Sequence, residues 1–192
     1  DGTFLIYSEP NAGEPPLFMY LIALSFQLLG KNLLAIRLAA VTCGLIGILA
    51  CWLLARELFG RWVGLLSAAF LAVSFWHILD SRVGLEPITV PLMATLSFYF
   101  LWLGLHDTVA PNRGGYRFFA LSGLCLGLST YTYQSGILVP VTAFLFVLYL
   151  LVVDKGLVRK HLKGLALLFA SALLVFAPLG HYVLTHYQTS MA

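Results

Sequence analysis

The stretch from Ser74 to Pro91 brings three charged side chains close together between two long apolar runs. They are Asp80, Arg82 and Glu86. Charges at the end of a membrane-length helix are unfavourable, so they usually have a partner or a function. A carboxylate can take the proton of an attacking hydroxyl, and a guanidinium presents a fork of N–H donors that matches phosphate oxygens. This turn is therefore a candidate site for chemistry on a charged lipid head group.

Pro87 follows Glu86 directly and bears on the role of that carboxylate. Proline is favoured as the first residue of a helix, because it lacks the N–H that would have no partner there. We therefore expect Glu86 at the N-cap of the next helix, beside its partial positive charge. Two roles stay open for Glu86, a catalytic acid/base and a simple cap.

Arg82 is either a phosphate ligand or a structural ion-pair partner of Asp80 or Glu86. Asp80 fits the role of ion-pair partner better than a role in proton transfer.

The composition defines the class of protein in which this turn must lie. The chain has 192 residues, of which 60% are hydrophobic and 10% charged, with a mean hydropathy of +0.93. Soluble domains are about 25% charged, so these values indicate an integral membrane protein. The net charge of +3 is small and scattered, which excludes a nucleic-acid partner. Three cysteines lie inside apolar runs, and no metal motif, cofactor motif or disulfide framework is recognisable.

Continuous apolar runs predict an all-α polytopic bundle of about six transmembrane helices plus one interfacial helix. The apolar run 17–29 is short, so we expect an interfacial or re-entrant helix there, with a short tilted span as the alternative. The six predicted spans are 34–55, 62–79, 88–106, 117–133, 137–153 and 164–184.

Lysine and arginine residues predict how these spans are oriented. Most of the eleven lie in alternate connections, around residues 56–61, 113–117 and 155–163. The positive-inside rule makes that side cytoplasmic. The segment 1–32, the Asp80–Glu86 turn and the turn at Gln134 then share the external face.

Further candidate residues lie in these external segments. Glu14 stands beside Pro15 and Pro16, and would line the acceptor side of a cavity unless it is only a solvated loop acid. Tyr131, Tyr133 and Gln134 follow the fourth span and could stack on a sugar or hold a lipid phosphate. Tyrosines at a membrane interface are also common anchors, and that alternative stays open.

Several motifs occur in an order that resembles a known family. They are Gly13-Glu14-Pro15-Pro16-Leu17, Arg37-Leu38, the segment from Ala55 to Arg61, and Ser81-Arg82-Val83-Gly84-Leu85-Glu86. Their order resembles the family 39 type glycosyltransferases, relatives of protein O-mannosyltransferases and lipid A aminoarabinose transferases, which have the GT-C fold. The resemblance covers essentially the whole chain. It implies that residues 1–192 are an excerpt of one GT-C transmembrane domain, with an external loop and interfacial helix over 1–33 and transmembrane helices over 34–192.

The resemblance implies transfer of a sugar from a polyprenyl-phosphate donor to a glycan, lipid or protein acceptor. The site would face the non-cytoplasmic side of the cell membrane, with no cofactor identified beyond the lipid-linked donor. It also implies that the main catalytic acid lies upstream of Asp1 and that Glu86 is the second acid. The family often has Lys or His before Pro-Pro, whereas this chain has Glu14.

Two alternative functions follow from the residues. A transporter or channel segment would carry ionisable residues at mid-span, and these spans are nearly free of them. A purely structural membrane subunit would not need the charged turn. The acids gather at one surface of the bundle, and this favours an enzyme that acts at the membrane surface over both alternatives.

Overall fold

A computed structural model describes residues 16–106 and 115–185, and in these ranges the chain is helical with short connections. Two short 3₁₀ turns, Glu86–Ile88 and Gln134–Ile137, precede the helices that begin at Thr89 and Leu138. The α-helices are α1 (Leu17–Leu29), α2 (Leu33–Phe59), α3 (Arg61–Ala72), α4 (Phe75–Val83), α5 (Thr89–His106), α6 (Gly115–Ser129), α7 (Leu138–Val153), α8 (Lys155–Lys160) and α9 (Leu162–Thr185).

The predicted all-α membrane bundle is confirmed. By length and composition, four helical segments of the described chain can cross a membrane, and a bent helix pair raises the number to five. The remaining predicted span corresponds to α6, which is shorter, with 15 residues. The short apolar helix α1 has the predicted bounds, because Pro16 precedes it and Gly30 ends it with φ of 79°. Its interfacial position stays a prediction.

The second predicted span is wrong as a single helix. It is divided into α3 and α4, which meet at an angle of 56°. Ser74 takes an extended conformation with ψ of 127° and is the N-cap residue of α4. The break turns α4 across α2, where His77 is buried and its Nε2 lies 3.2 Å from the carbonyl oxygen of Gly44. This contact gives His77 a structural role between α2 and α4.

Small residues allow the helices to approach closely. Gly123 and Gly127 of α6 lie against α9, where an added Cβ would clash with Leu168, Ser171 and Val175. This four-residue spacing of glycines is a common device for close helix contact in membranes. Hydroxyls add bonds between helices, since Ser122 donates to the carbonyl of Ser97 in α5 at 2.8 Å. Helices α5, α6 and α9 therefore form one tightly packed unit.

Helix α1 connects the two polar turns at one end of the bundle. Phe18 of α1 packs with Ala40 of α2 and with Ile88, which directly precedes α5. The backbone N–H of Leu17, the first residue of α1, donates to the carbonyl of Tyr131 at 3.0 Å. The turn after α4 and the turn after α6 therefore lie on the same end of the bundle, as the orientation argument predicts.

Candidate functional site

The turn between α4 and α5 is closed by its own backbone. Gly84 adopts the left-handed conformation, with φ of 87° and ψ of 46°, and ends α4. The N–H groups of Gly84 and Leu85 both donate to the carbonyl of Asp80, at 3.1 and 3.0 Å. Such bonds satisfy carbonyls that a helix end would otherwise leave without partners. The charged side chains of the turn are therefore not needed to close it.

Glu86 lies one residue after the N-cap position that the sequence predicts for it. The N-cap residue is Leu85, and Glu86 is the first residue of the 3₁₀ turn that leads into α5. The prediction of Glu86 as the N-cap residue is therefore wrong, because Pro87 occupies the second position of that turn. The carbonyl of Glu86 accepts a bond of 2.7 Å from the Thr89 hydroxyl, and its carboxylate atom Oε2 is buried. The carboxylate thus enters the end of the bundle from the start of the α5 segment.

For Arg82, the sequence left open a structural role as an ion-pair partner of Asp80 or Glu86. Among the residues that the structure describes, Arg82 forms no ion pair with Asp80 or Glu86. Asp80 is half-buried on another side of α4, and only its backbone carbonyl takes part in the turn. The guanidinium of Arg82 is exposed and lines a cavity. This geometry favours the phosphate-ligand role over the ion-pair role.

The cavity has a volume of about 740 Å³ and lies between α2 and α4. Arg37 of α2 lines it together with Arg82, and within the described part of the chain neither arginine pairs with a carboxylate. The rest of its lining is apolar and includes Val41, Phe75 and Ile78. Two cations among apolar walls suit an amphiphilic anion, because guanidinium groups match phosphate oxygens and apolar walls match a hydrocarbon chain.

Arg37 was not among the candidate site residues from sequence. One signal was available, because Arg37 is one of the few basic residues predicted on the basic-poor side. Its closeness to Arg82 could not be read from the sequence, since it depends on the bend between α3 and α4. The bend therefore brings together the two arginines of the candidate site.

The turn after α6 has a different character. The predicted fourth span ends early, at Ser129, and residues 130–133 form the turn. Ser129, Thr130 and Thr132 are buried, and their hydroxyls donate to backbone carbonyls of the same segment. Such local bonds compete with helix formation, which explains why the helix stops there.

The three predicted site residues of this turn differ in exposure. Gln134 is exposed and Tyr133 is half-buried, so both can reach a ligand at this end of the bundle. The hydroxyl of Tyr131 is engaged with α9, where it donates to the carbonyl of Val175 at 3.0 Å. Glu14 lies outside the described residues, and its predicted role stays a prediction. Within the described ranges, no group of three or more His, Cys, Asp or Glu side chains is arranged to bind a metal.

An apolar helical bundle with a bent helix pair and a charged turn at one end is the architecture of a polytopic membrane protein, and its candidate site lies at the end of its helices. The family model described as dolichyl-phosphate-mannose-protein mannosyltransferase matches residues 13–182, and the chain belongs to that family. This confirms the resemblance seen in the motifs. No curated protein sequence matches the chain.

A solved structure shares the fold. The crystal structure of ArnT from Cupriavidus metallidurans in the apo state matches with a TM-score of 0.71 and 24% sequence identity. The match covers 88% of this chain and 31% of that chain, so this chain spans less than a third of the length of ArnT. The fold is therefore of the GT-C type, as the motifs implied.

Proposed function

We propose that this chain forms part of a membrane glycosyltransferase that moves a sugar from a polyprenyl-phosphate donor to a hydroxyl acceptor. One observation carries the proposal beyond family membership. Arg37 and Arg82 line one cavity with apolar walls, without a carboxylate partner among the described residues. Both guanidinium groups are exposed and lie beside apolar walls, so an anion that carries a hydrocarbon chain is the natural partner.

The chemistry assigns a role to each group. The donor phosphate lies against the two guanidinium groups, with its prenyl chain along the apolar wall formed by Val41 and Phe75. The acceptor oxygen attacks the anomeric carbon, and the bond from that carbon to the phosphate oxygen breaks. The electron pair leaves with the lipid phosphate, whose growing negative charge the arginines stabilise. The Glu86 carboxylate accepts the hydroxyl proton, alone or with an acid upstream of Asp1.

The remaining candidates are assigned to the acceptor side. Tyr133 and Gln134 lie at the same end of the bundle as Glu86 and are open to a ligand. Glu14 precedes α1, which starts against the turn after α6. A glycan, lipid or protein hydroxyl is the acceptor class. A transporter is not favoured, because the family is one of sugar transferases and the charges gather at one end of the helices.

The test is transfer of radiolabelled sugar from a panel of polyprenyl-phosphate sugars by the purified full-length protein. Glu86→Gln keeps the size of the side chain but removes its basicity, and we expect a loss of roughly 100-fold in transfer rate. Glu86→Asp serves as the matched control and should keep part of the activity. Full activity of Glu86→Gln in correctly inserted protein would remove Glu86 from the mechanism.

We further propose that the end of the bundle with the Asp80–Glu86 turn faces the non-cytoplasmic side. The opposite end carries Arg61, Lys155, Arg159, Lys160 and Lys163, as the positive-inside rule requires of a cytoplasmic face. Ser135→Cys should then react with an impermeant thiol reagent added outside intact cells, whereas Lys155→Cys should react only after the cells are opened. The opposite pattern would reverse the orientation.

A further inference from the structure

Pro178 interrupts the hydrogen bonding of α9, which continues as a helix on both sides of it. Proline has no N–H to donate, and its ring pushes away the carbonyl four residues earlier, which here belongs to Leu174. The next bond of the ladder is made by the residue that follows the proline. In a regular helix that bond runs from the N–H of Leu179 to the carbonyl of Val175.

The hydroxyl of Tyr131 bridges the two groups that this bond would join. The N–H of Leu179 donates to the Tyr131 oxygen at 3.1 Å, and the Tyr131 hydroxyl donates to the carbonyl of Val175 at 3.0 Å. A phenol can do both at once, because it is a donor and an acceptor. Backbone groups without a partner are costly in an apolar environment, so these two bonds stabilise α9 next to Pro178.

Close helix packing makes these two bonds possible. Gly127 lies four residues before Tyr131, and a Cβ at that position would come within 2.5 Å of the Val175 Cβ. The glycine therefore brings α6 next to α9 at the level of Val175. Tyr131, placed one turn later, can then reach the carbonyl of Val175 across the interface.

The backbone of Tyr131 makes a third connection. Its carbonyl accepts a bond of 3.0 Å from the N–H of Leu17, the first residue of α1. Leu17 directly follows the Glu14-Pro15-Pro16 segment in the sequence. One residue is thus bonded to the start of α1 by its backbone and to Val175 and Leu179 of α9 by its side chain.

We propose that Tyr131 is a positioning residue that holds the start of α1 and the part of α9 around Pro178 in a fixed relation. This role replaces direct substrate contact, because its hydroxyl is already bonded to two groups of α9. Its effect on transfer rests on the proposed function, whereas the link to Pro178 does not. Displacing the start of α1 would move Phe18 relative to Ile88, which ends the 3₁₀ turn of Glu86, and slow the chemical step.

The test is a double-mutant cycle in the full-length protein with Tyr131→Phe and Pro178→Ala. The second substitution restores an N–H and allows Leu179 to bond directly to Val175, so the Tyr131 hydroxyl is no longer required. We expect Tyr131→Phe to lower the melting temperature clearly with Pro178 present and at most slightly in the Pro178→Ala background. Tyr149→Phe, which removes a hydroxyl from an exposed position of α7, is the matched control and should change little. Equal effects of Tyr131→Phe in the two backgrounds would overturn the link to Pro178.

A second measurement separates positioning from simple stabilisation. We expect Tyr131→Phe to lower kcat per folded enzyme about tenfold while KM for the lipid donor stays within twofold, and Pro178→Ala to restore part of kcat in the double variant. Unchanged kcat per folded enzyme would overturn the positioning role. The melting temperatures can be read even if the wild-type protein transfers no sugar, so a failure of the proposed function would be seen separately.

Discussion

The two polar turns at one end of the bundle use their polar groups in opposite ways. In the turn after α6, the hydroxyls of Ser129, Thr130 and Thr132 are buried and bonded to carbonyls of their own segment. In the turn after α4, the backbone alone closes the loop at Gly84, and the Arg82 side chain lines an open cavity. One turn uses its polar side chains to build structure, and the other leaves a charge available for a ligand.

This difference gives a way to distinguish structural from functional polar residues in a membrane protein. A buried hydroxyl that reaches a carbonyl three residues earlier satisfies itself locally and needs no ligand. A guanidinium cannot be satisfied in this way, since it carries a full charge and five donors. Two such groups in one apolar cavity therefore point to an anionic ligand, whereas the richer polar composition of the other turn does not.

The largest effect is expected where the structural turn is most tightly packed. A Cβ at Gly136 would collide with the carbonyl oxygen of Ser129 and with the Thr132 hydroxyl. Because the first of these is a backbone atom, it cannot move away as the end of a side chain could. We expect Gly136→Ala to destabilise the protein by about 3 kcal/mol or more, as overpacking does in its stronger cases. Recovery of monodisperse protein after detergent extraction and its melting temperature would measure this loss.

Gly156→Ala is the matched control for that variant. The added Cβ would lie 3.4 Å from the Asp154 carboxylate, an ordinary contact, and alanine is the better helix former. This variant should extract and melt like the wild type or slightly better. A wild-type melting temperature for Gly136→Ala would mean that the turn after α6 is not the rigid element inferred from its hydroxyl bonds.

Local signals in the sequence predicted most of the fold. Apolar runs predict the helices, and Pro16 and Gly30 mark the two ends of α1. Proline is unfavourable inside a helix but is tolerated at its start, and Gly30 ends the helix with a positive φ. The break between α3 and α4 was missed, since no proline or glycine marks it. The break accompanies a contact of α4 with α2, through His77 and Gly44, which lie 33 residues apart.

The candidate site could be predicted only in part for the same reason. The charged turn was evident because its residues are neighbours in the sequence. Arg37 was missed because only the bend of the helix pair brings it to the cavity of Arg82. Tyr131 was identified as polar and external, but its bonds to α9 join residues 44 and 48 positions apart. Contacts of this kind depend on helix packing, which a single sequence does not specify.

A smaller effect, on binding rather than folding, is expected at the turn after α4. Replacing Arg37 or Arg82 by Gln removes a cation from the cavity without leaving a carboxylate unpaired in the described part of the chain. We expect each variant to keep its melting temperature within a few degrees. KM for the polyprenyl-phosphate donor should rise about tenfold in each, since hydrogen bonds to charged groups contribute about 1.5–3 kcal/mol. The transfer rate at saturating donor should fall as well, because the guanidinium groups also stabilise the charge that grows on the leaving phosphate. Transfer kinetics at varied donor concentration would measure this rise.

The double variant and a distant control make this prediction decisive. If both guanidinium groups hold the same phosphate, the double variant should raise KM by less than the product of the single effects, because contacting groups are not additive. Arg61→Gln removes an exposed cation near the opposite end of the bundle and controls for net charge. An unchanged donor KM in the double variant, with normal folding, would show that the cavity does not bind the donor. The turn after α4 would then not be a ligand-binding turn, and the contrast with the structural turn after α6 would no longer hold.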